Sequence, residues 1–243
     1  PNELHDTPSP ARSYGSAGWL DDDAGLLLYD RFDIWQVDPT GSQPAVCVTS
    51  QEGRGNHKRY RYVRLDREQR SIDPEETLLL AAFDEQTKAS GYSKLDLADA
   101  QPRAMLMLDE RVDGLRKARQ GDTILLTRQS FRRSPDLWAS TMDFEELSRM
   151  SSANPQQRDY LWGTAEPVHY ETTAGEPLSG LLYKPDNFDP ETKYPMMVYF
   201  YERSSDGLHR YHRPYPGGSS INYSFYVSRG YVVFVPDIPH ETG

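Results

Sequence analysis

Histidine, serine and tyrosine side chains with catalytic potential are concentrated near the C-terminal end of the sequence. His209 and His212 are three residues apart, a spacing at which two imidazoles can bind one metal ion. No third ligand follows at a recognisable spacing, so we interpret both as loop residues and predict no metal site. His209 or His240 would act as a general base only beside a nucleophile and an orienting acid. The sequence does not supply that pair.

A serine nucleophile held on a sharp turn between a strand and a helix occurs in the pentapeptide Gly-x-Ser-x-Gly. This pattern is absent from the 243 residues. Two near matches, which begin at Gly91 and Gly217, both lack the second glycine. We therefore assign no catalytic triad and expect any such nucleophile to follow Gly243.

Two apolar runs are placed where they could position catalytic loops. Residues 194–201 are almost continuously apolar and aromatic and are bounded by polar residues, a pattern that predicts a buried strand covered on both faces. A second run, at residues 231–235, ends in Pro236-Asp237. With a helix between them, the runs predict a strand, a crossover and a parallel strand.

The crossover helix is predicted to begin at Ser219 or Ser220, as the N-cap, and to end at Arg229 before Gly230. The residues predicted to face inward are Ile221, Phe225 and Tyr226. Upstream, residues 168–171 and 178–183 flank a turn, which predicts an antiparallel hairpin at the edge of the same sheet.

The first half of the chain contains a repeat. Short apolar runs begin at Leu26, Leu78 and Ile124, at spacings of 52 and 46 residues. A second strand-like segment follows each run, at residues 33–37, 92–97 and 136–138. Four-stranded units that recur every 40 to 50 residues or so are typical of β-propeller blades.

The composition changes near residue 140, and residues 150–157 have the composition of a linker. We place a domain boundary near residue 160. Residues 1–160 are predicted to be blades of an incomplete propeller, which is all-β, and residues 161–243 to be the first part of a second domain.

The net charge of −10 argues against nucleic acid as the main partner. The basic segment Arg54–Arg70 contains interleaved tyrosines and is interpreted as a strand with one solvated face. No apolar run reaches the length that a membrane span needs, so we predict none. Cys47 is the one cysteine and is interpreted as a half-buried strand residue.

Several stretches together resemble the prolyl oligopeptidase family of serine peptidases. They are Glu176 to Pro185 (EPLSGLLYKP), Lys193 to Val198 (KYPMMV), Ser228 to Val233 (SRGYVV) and, in the propeller-like part, Ser134 to Trp138 (SPDLW). The resemblance implies a propeller followed by the N-terminal portion of an α/β-hydrolase domain. It also implies that the serine, aspartate and histidine lie beyond the C-terminus, so this chain alone is expected to be inactive.

The resemblance implies one further site residue. Family members with a tyrosine at the end of the first crossover strand use its hydroxyl to stabilise the oxyanion, and Tyr201 falls there. The next two residues are Glu202 and Arg203, where the family has Gly-Gly or Ala-Gly. Tyr201 is therefore either an oxyanion donor or a packed tyrosine at a strand end.

The hypothesis is a serine-type peptidase that hydrolyses short peptides through an acyl-enzyme. It uses no cofactor, and its partners are a peptide substrate and the remainder of the catalytic domain, either in the same protein or as another chain. An esterase or acyl-peptide hydrolase on the same scaffold has the same features. A non-catalytic propeller-based binding protein is the alternative from another class. Nothing in the sequence indicates a cellular compartment.

Overall fold

A computed structural model describes residues 2–5, 9–173, 175–215 and 220–238. They form two compact units. The first extends to Leu126 and includes Ala139–Leu147, and the second contains Thr127–Trp138 and the described residues from Ser148 onward. With 39% of the chain in strands and 9% in helices, the structure is nearly all-β. The domain boundary placed near residue 160 stays a prediction.

Two antiparallel sheets, each with strands in sequence order, form most of the first unit. The first sheet contains β1 (Ser16–Trp19), β2 (Leu26–Tyr29), β3 (Ile34–Val37) and β4 (Val46–Cys47). The second contains β5 (Lys58–Tyr62), β6 (Thr77–Asp84), β7 (Ser90–Asp96) and β8 (Arg103–Leu108). A third sheet has the order β12-β11-β10-β9 and consists of β9 (Arg111–Lys117), β10 (Ile124–Ser130), β11 (Arg133–Ser140) and β12 (Ser148–Arg149).

The predicted repeat corresponds to the second and third strands of these sheets. Leu26, Leu78 and Ile124 lie in β2, β6 and β10, and the segments that follow them contain β3, β7 and β11. Apolar side chains alternate in β10, where Ile124 and Leu126 are buried and Leu125 is exposed. In β6, by contrast, the consecutive residues Leu78, Leu79 and Leu80 are all buried. Each apolar run is therefore a blade strand, and the strands differ in how many of their faces are covered.

The core of the first unit lies between its two sheets. It contains Leu27, Ile34, Tyr60, Leu78 and Leu80, all at most 2% exposed. The basic segment contributes Tyr60 to this core through β5, while its arginines lie over aromatic rings: Arg59 over Phe83 and Arg61 over Tyr29. The predicted strand is confirmed, and its arginines are partly covered instead of fully solvated. Cys47 is half-buried in β4, as predicted.

A short helix, α1 (Glu52–Gly55), precedes β5. The fully buried Asp33 holds its first turn, because its carboxylate accepts hydrogen bonds from the amides of Gly53 and Arg54 and from Thr49 Oγ1. This buried carboxylate thus satisfies amides that a helix start leaves without partners.

The fourth sheet belongs to the second unit and has the order β13-β14-β16-β15. Its strands are β13 (Thr164–Glu171), β14 (Pro177–Lys184), β15 (Met196–Val198) and β16 (Val232–Pro236). The pairs β13/β14 and β14/β16 are antiparallel, and β15/β16 is parallel. The predicted hairpin and the parallel pair are both confirmed. The predicted fold class is confirmed with them: propeller-type blades are followed by the opening of an α/β sheet.

The prediction of a central strand over residues 194–201 is wrong in length and in burial. Only Met196–Val198 is a strand, and it is the last strand of the described sheet. Met196 and Val198 are more than half exposed. A strand paired along one edge has fewer neighbours to cover its side chains, so its hydrophobic sequence does not ensure burial.

The crossover helix, α2 (Tyr223–Val227), is shorter than predicted. Its N-cap is Asn222, whose side chain accepts a hydrogen bond from Phe225 N at 3.0 Å, and not Ser220. Ser219 lies outside the described residues. Ile221 and Tyr226 pack against the core as predicted, and Ser224 and Val227 of the helix are buried. Phe225, which was also predicted to face inward, is exposed. Gly230 follows the helix with φ of 82°, as a C-terminal glycine does.

Within the described ranges, no helix is long and apolar enough to cross a membrane.

Candidate active-site edge

The C-terminal ends of β15 and β16 bring two loops together. These strands are parallel, with Met196 opposite Val232 and Val198 opposite Phe234. The pairing continues past β15 through the hydrogen bond from Tyr199 N to Phe234 O at 3.0 Å. In open α/β sheets, ligands bind beyond the carboxyl ends of the strands, so this edge is the candidate site.

Asp237 connects the two loops at this edge. It follows β16 directly and is 6% exposed. Its Oδ1 accepts hydrogen bonds from Ser204 N at 2.5 Å and from Ser205 N at 2.8 Å. Both donors lie in the loop after β15. The carboxylate therefore fixes the backbone of that loop, and hydrogen bonds of an ionised group are the stronger kind.

The backbone of Asp237 is held as well. Its amide donates to Ser179 O at 2.8 Å, and its carbonyl accepts from Tyr170 Oη at 2.9 Å. These contacts tie the loop after β16 to the β13/β14 hairpin. The sequence placed Asp237 after a strand but gave it no role. The signal available in the sequence was an acidic residue directly after an apolar run that predicts a parallel strand.

Tyr201 lies at the start of the loop that Asp237 holds. The residue is 70% exposed and occupies a bend just after β15. Both interpretations from the sequence, an oxyanion donor and a packed tyrosine at a strand end, stay predictions. Its position beyond the carboxyl end of a parallel strand suits a side chain that contacts a ligand. The oxyanion role itself stays a prediction.

Glu202 and Arg203 follow Tyr201 and are exposed. Their side chains extend from a part of the loop that precedes the amides bound by Asp237. The loop therefore exposes a tyrosine, an acidic side chain and a basic side chain at the sheet edge. Hydroxyl and guanidinium groups at such an edge can donate hydrogen bonds to a carbonyl oxygen or a carboxylate of a ligand.

His212 lies in an aromatic cluster of the same unit. Its ring centroid is 4.6 Å from that of Tyr223, 5.8 Å from Tyr183 and 6.1 Å from Phe131. Burial, with a smaller contribution from the charge of Arg210, lowers the pKa of His212 to about 4. The imidazole is therefore neutral at physiological pH and serves as a packed ring.

The segment around His212 is also fixed to α2 by hydrogen bonds. Ser224 Oγ donates to His212 O at 2.6 Å, and Asn222 Nδ2 donates to Arg213 O at 2.8 Å. The loop interpretation of His212 is thus supported by its contacts. Across the described ranges, no three His, Cys, Asp or Glu side chains are arranged to hold a metal ion. His240 and the near match at Gly217 lie outside the described residues.

Two pairs of adjacent glutamates also occur in the chain. Glu75 and Glu76 precede β6, and Glu145 and Glu146 are exposed in the loop between β11 and β12. Both pairs belong to the first unit.

No protein-family model and no curated protein matches the chain. Solved structures do match. The chain is similar to Porphyromonas gingivalis dipeptidyl peptidase 4, with a TM-score of 0.61 and 19% identity over 91% of this chain and 30% of that one. It is similar to the AtxE2 isopeptidase in its apo form, with a TM-score of 0.55 and 13% identity over 96% of this chain and 33% of that one.

A third similar structure is the acylaminoacyl peptidase of Pyrococcus horikoshii. Its TM-score is 0.53, with 12% identity over 89% of this chain and 31% of that one. The chain thus spans about a third of the length of each of these structures. At such identities the likeness concerns the fold, and the chain shares the propeller-containing fold of structures that are peptidases.

Proposed function

We propose that this chain is part of a serine-type peptidase of the prolyl oligopeptidase type, which hydrolyses short peptides through an acyl-enzyme. The observation that carries the proposal is the edge of β15 and β16, where Asp237 holds the loop that begins with the exposed Tyr201. The likeness of almost the whole chain to three peptidases supports it.

In this proposal Tyr201 contributes to the acylation step. Attack on the scissile carbonyl places negative charge on its oxygen, and a donor fixed at that position lowers the barrier. The Tyr201 hydroxyl would donate a hydrogen bond to that oxygen. Asp237 would act as a positioning residue, because it holds the two amides that follow Tyr201 in the same loop.

The nucleophile, the acid and the base are proposed to come from sequence after residue 243. The β15, α2 and β16 unit would then be the opening of an α/β-hydrolase sheet. In such sheets the serine elbow follows a later strand. The β13/β14 hairpin would form the antiparallel edge of that sheet.

The test is made on the protein that contains this chain together with its following sequence. We expect a Gly-x-Ser-x-Gly elbow within about 60 residues of position 243, as the spacing of α/β units requires. We also expect hydrolysis of fluorogenic dipeptide or tripeptide amides. A following sequence without this elbow, in a protein that cleaves none of these amides, would favour a non-catalytic binding protein.

The ester and acyl-peptide alternatives are separated by the choice of substrate. Matched p-nitrophenyl esters, N-acetylated peptide amides and peptide amides with a free amine are compared by kcat/KM. A peptidase hydrolyses the amides, whereas an esterase hydrolyses the activated esters alone. A marked preference for the N-acetylated amide would identify an acyl-peptide hydrolase.

A further inference from the structure

A cavity of about 1010 Å³ lies in the second unit. Three stretches of chain line it: residues 153–162, which include the 3-10 helix Pro155–Asp159, residues 211–214, and α2 with the residues that follow it. Neither Tyr201 nor Asp237 is among the lining residues, so the cavity is distinct from the edge of β15 and β16. Its volume is at the upper end of the range of about 300 to 1,000 Å³ that is usual for ligand pockets.

Aromatic and aliphatic side chains make up much of the lining. Trp162 is 7% exposed, and its ring stacks on that of Tyr211 with centroids 5.3 Å apart and an interplanar angle of 5°. Tyr160, Leu161 and Phe225 also line the cavity, and all three are exposed. Flat apolar surface of this kind suits the ring of a ligand.

Hydrogen bonds fix the two stacked rings. Trp162 Nε1 donates to Phe131 O at 2.6 Å. Tyr211 Oη accepts a hydrogen bond from Asn154 Nδ2 at 2.8 Å and donates one to Gln157 Oε1 at 3.1 Å. Asn154 and Gln157 line the cavity as well. This part of the wall is therefore in place before a ligand binds, which lowers the ordering cost of binding.

Two arginines, Arg213 and Arg229, bring positive charge to the lining. The guanidinium of Arg229 lies 3.7 Å from the centre of the Phe225 ring and donates to Phe225 O at 3.3 Å. Within the described ranges, neither arginine forms an ion pair. Among the described lining residues Asp159 alone carries a carboxylate, and Arg158 lies 3.7 Å from it. Both guanidinium groups therefore keep donors that can bind a ligand carboxylate with paired hydrogen bonds.

We propose that this cavity binds an aromatic carboxylate, with the ring against the aromatic lining and the carboxylate on Arg213 and Arg229. An uncharged apolar ligand would leave both guanidinium groups without an acceptor, and a small inorganic anion would leave the aromatic surface uncovered. The lining therefore favours one ligand that carries both groups. A peptide that ends in an aromatic residue and a free aryl acid share this chemistry. The inference does not depend on the proposed peptidase activity.

Isothermal titration calorimetry on the full protein compares naphthylacetate with naphthylacetamide, which has the same ring and no charge. We expect the acid to bind at least about 10-fold more tightly, as charge-assisted hydrogen bonds require. Acetate keeps the carboxylate without the ring and should not displace naphthylacetate at equal concentration. Equal binding of the acid and the amide would overturn the proposal, as would displacement by acetate or a lack of binding by the acid.

Arg213→Gln and Arg229→Gln should each weaken the binding of naphthylacetate by about 10-fold and leave that of the amide unchanged. Both side chains are exposed, so both variants should keep the melting temperature of the parent protein. Arg119→Gln is the matched control, at an exposed arginine that is paired with Glu68 in the first unit. Unchanged binding in both cavity variants, or an equal loss in Arg119→Gln, would contradict the proposed site.

The tripeptide acetyl-Ala-Ala-Phe with a free carboxylate separates the two sources of the ligand. Tighter binding of this peptide than of naphthylacetate would assign the site to a peptide C-terminus, and weaker binding would assign it to a free aryl acid. Both results agree with the proposal. A peptide whose C-terminal amide binds as tightly as its free acid would contradict it.

Discussion

The carboxylate of Asp237 holds the amide of Ser205 at 2.8 Å, across 32 positions of sequence. The same oxygen holds the amide of Ser204. The ends of two parallel strands are thereby joined by one buried side chain, and the exposed Tyr201 begins the loop that this side chain fixes.

Asp237→Ala should lower the free energy of unfolding by about 2 to 3 kcal/mol, because the two amides lose a charged acceptor. Asp237→Asn should lower the free energy of unfolding by less, since its side-chain amide oxygen can still accept a hydrogen bond. Urea denaturation measures both. Asp189→Asn is the matched control: this exposed aspartate also accepts a backbone amide, that of Glu191, and its replacement should change stability little. Equal losses at both positions would contradict the anchoring role of Asp237.

The pKa of His212 predicts a dependence of stability on pH. Burial lowers this pKa from 6.5 to about 4, so between these values the unfolded chain binds a proton that the folded chain does not. Stability should therefore be full above about pH 6.5 and fall as the pH drops toward 4. Protonation of His212 in the unfolded chain should lower the free energy of unfolding by about 3 kcal/mol over this range.

The test compares urea denaturation of the parent protein and His212→Phe from pH 7.5 to pH 4. Phenylalanine keeps an aromatic ring among Tyr183, Tyr223 and Phe131 and removes the titrating group. The variant should show a shallower loss of stability over this range. If the free energy of unfolding depends on pH identically in the two proteins, burial does not lower the pKa of His212 and this prediction is wrong.

Close packing of β7 against β8 predicts that Gly91 tolerates no side chain. A methyl group at this position would lie 1.8 Å from Leu106 O, which is backbone and cannot move aside alone. Gly91→Ala should therefore destabilise the first unit by about 2 to 3 kcal/mol. Gly55→Ala is the matched control, because nothing lies within 4 Å of its added carbon. A Gly91→Ala variant as stable as Gly55→Ala would contradict the register of this sheet.

Tyr201→Phe tests the proposed oxyanion donor. In the full protein, the turnover number for a peptide amide should fall by about 10- to 1000-fold, the effect of one lost donor. Stability should not change, because the side chain is 70% exposed. Tyr215→Phe, at another exposed tyrosine of the same unit, should leave turnover unchanged. Equal turnover in Tyr201→Phe and the parent would leave Tyr201 without a catalytic role.

The blades could be predicted from the sequence because their signals are local. Apolar runs at Leu26, Leu78 and Ile124 recur with turn residues between them, and each run became the second strand of a sheet. The hairpin of β13 and β14 was predictable for the same reason, since its two strands flank one turn.

The features that the sequence did not predict depend on distant partners. Asn222 caps α2 instead of Ser220 because its amide group also reaches the carbonyl of Arg213, nine residues away. Hydrophobicity over residues 194–201 indicated a strand but could not indicate how many neighbours cover it. The role of Asp237 rests on amides more than 30 positions away, which no local pattern reveals.

The most direct test of the central claim is the stoichiometric inhibition of peptide hydrolysis by a serine-directed phosphonate. The full protein is titrated with a fluorescent diphenyl phosphonate, and the residual hydrolysis of a peptide amide is measured together with the label bound. We predict that one label per protein abolishes hydrolysis and that the labelled serine lies in a Gly-x-Ser-x-Gly elbow. A protein that neither hydrolyses the peptide nor takes up the label would contradict the account.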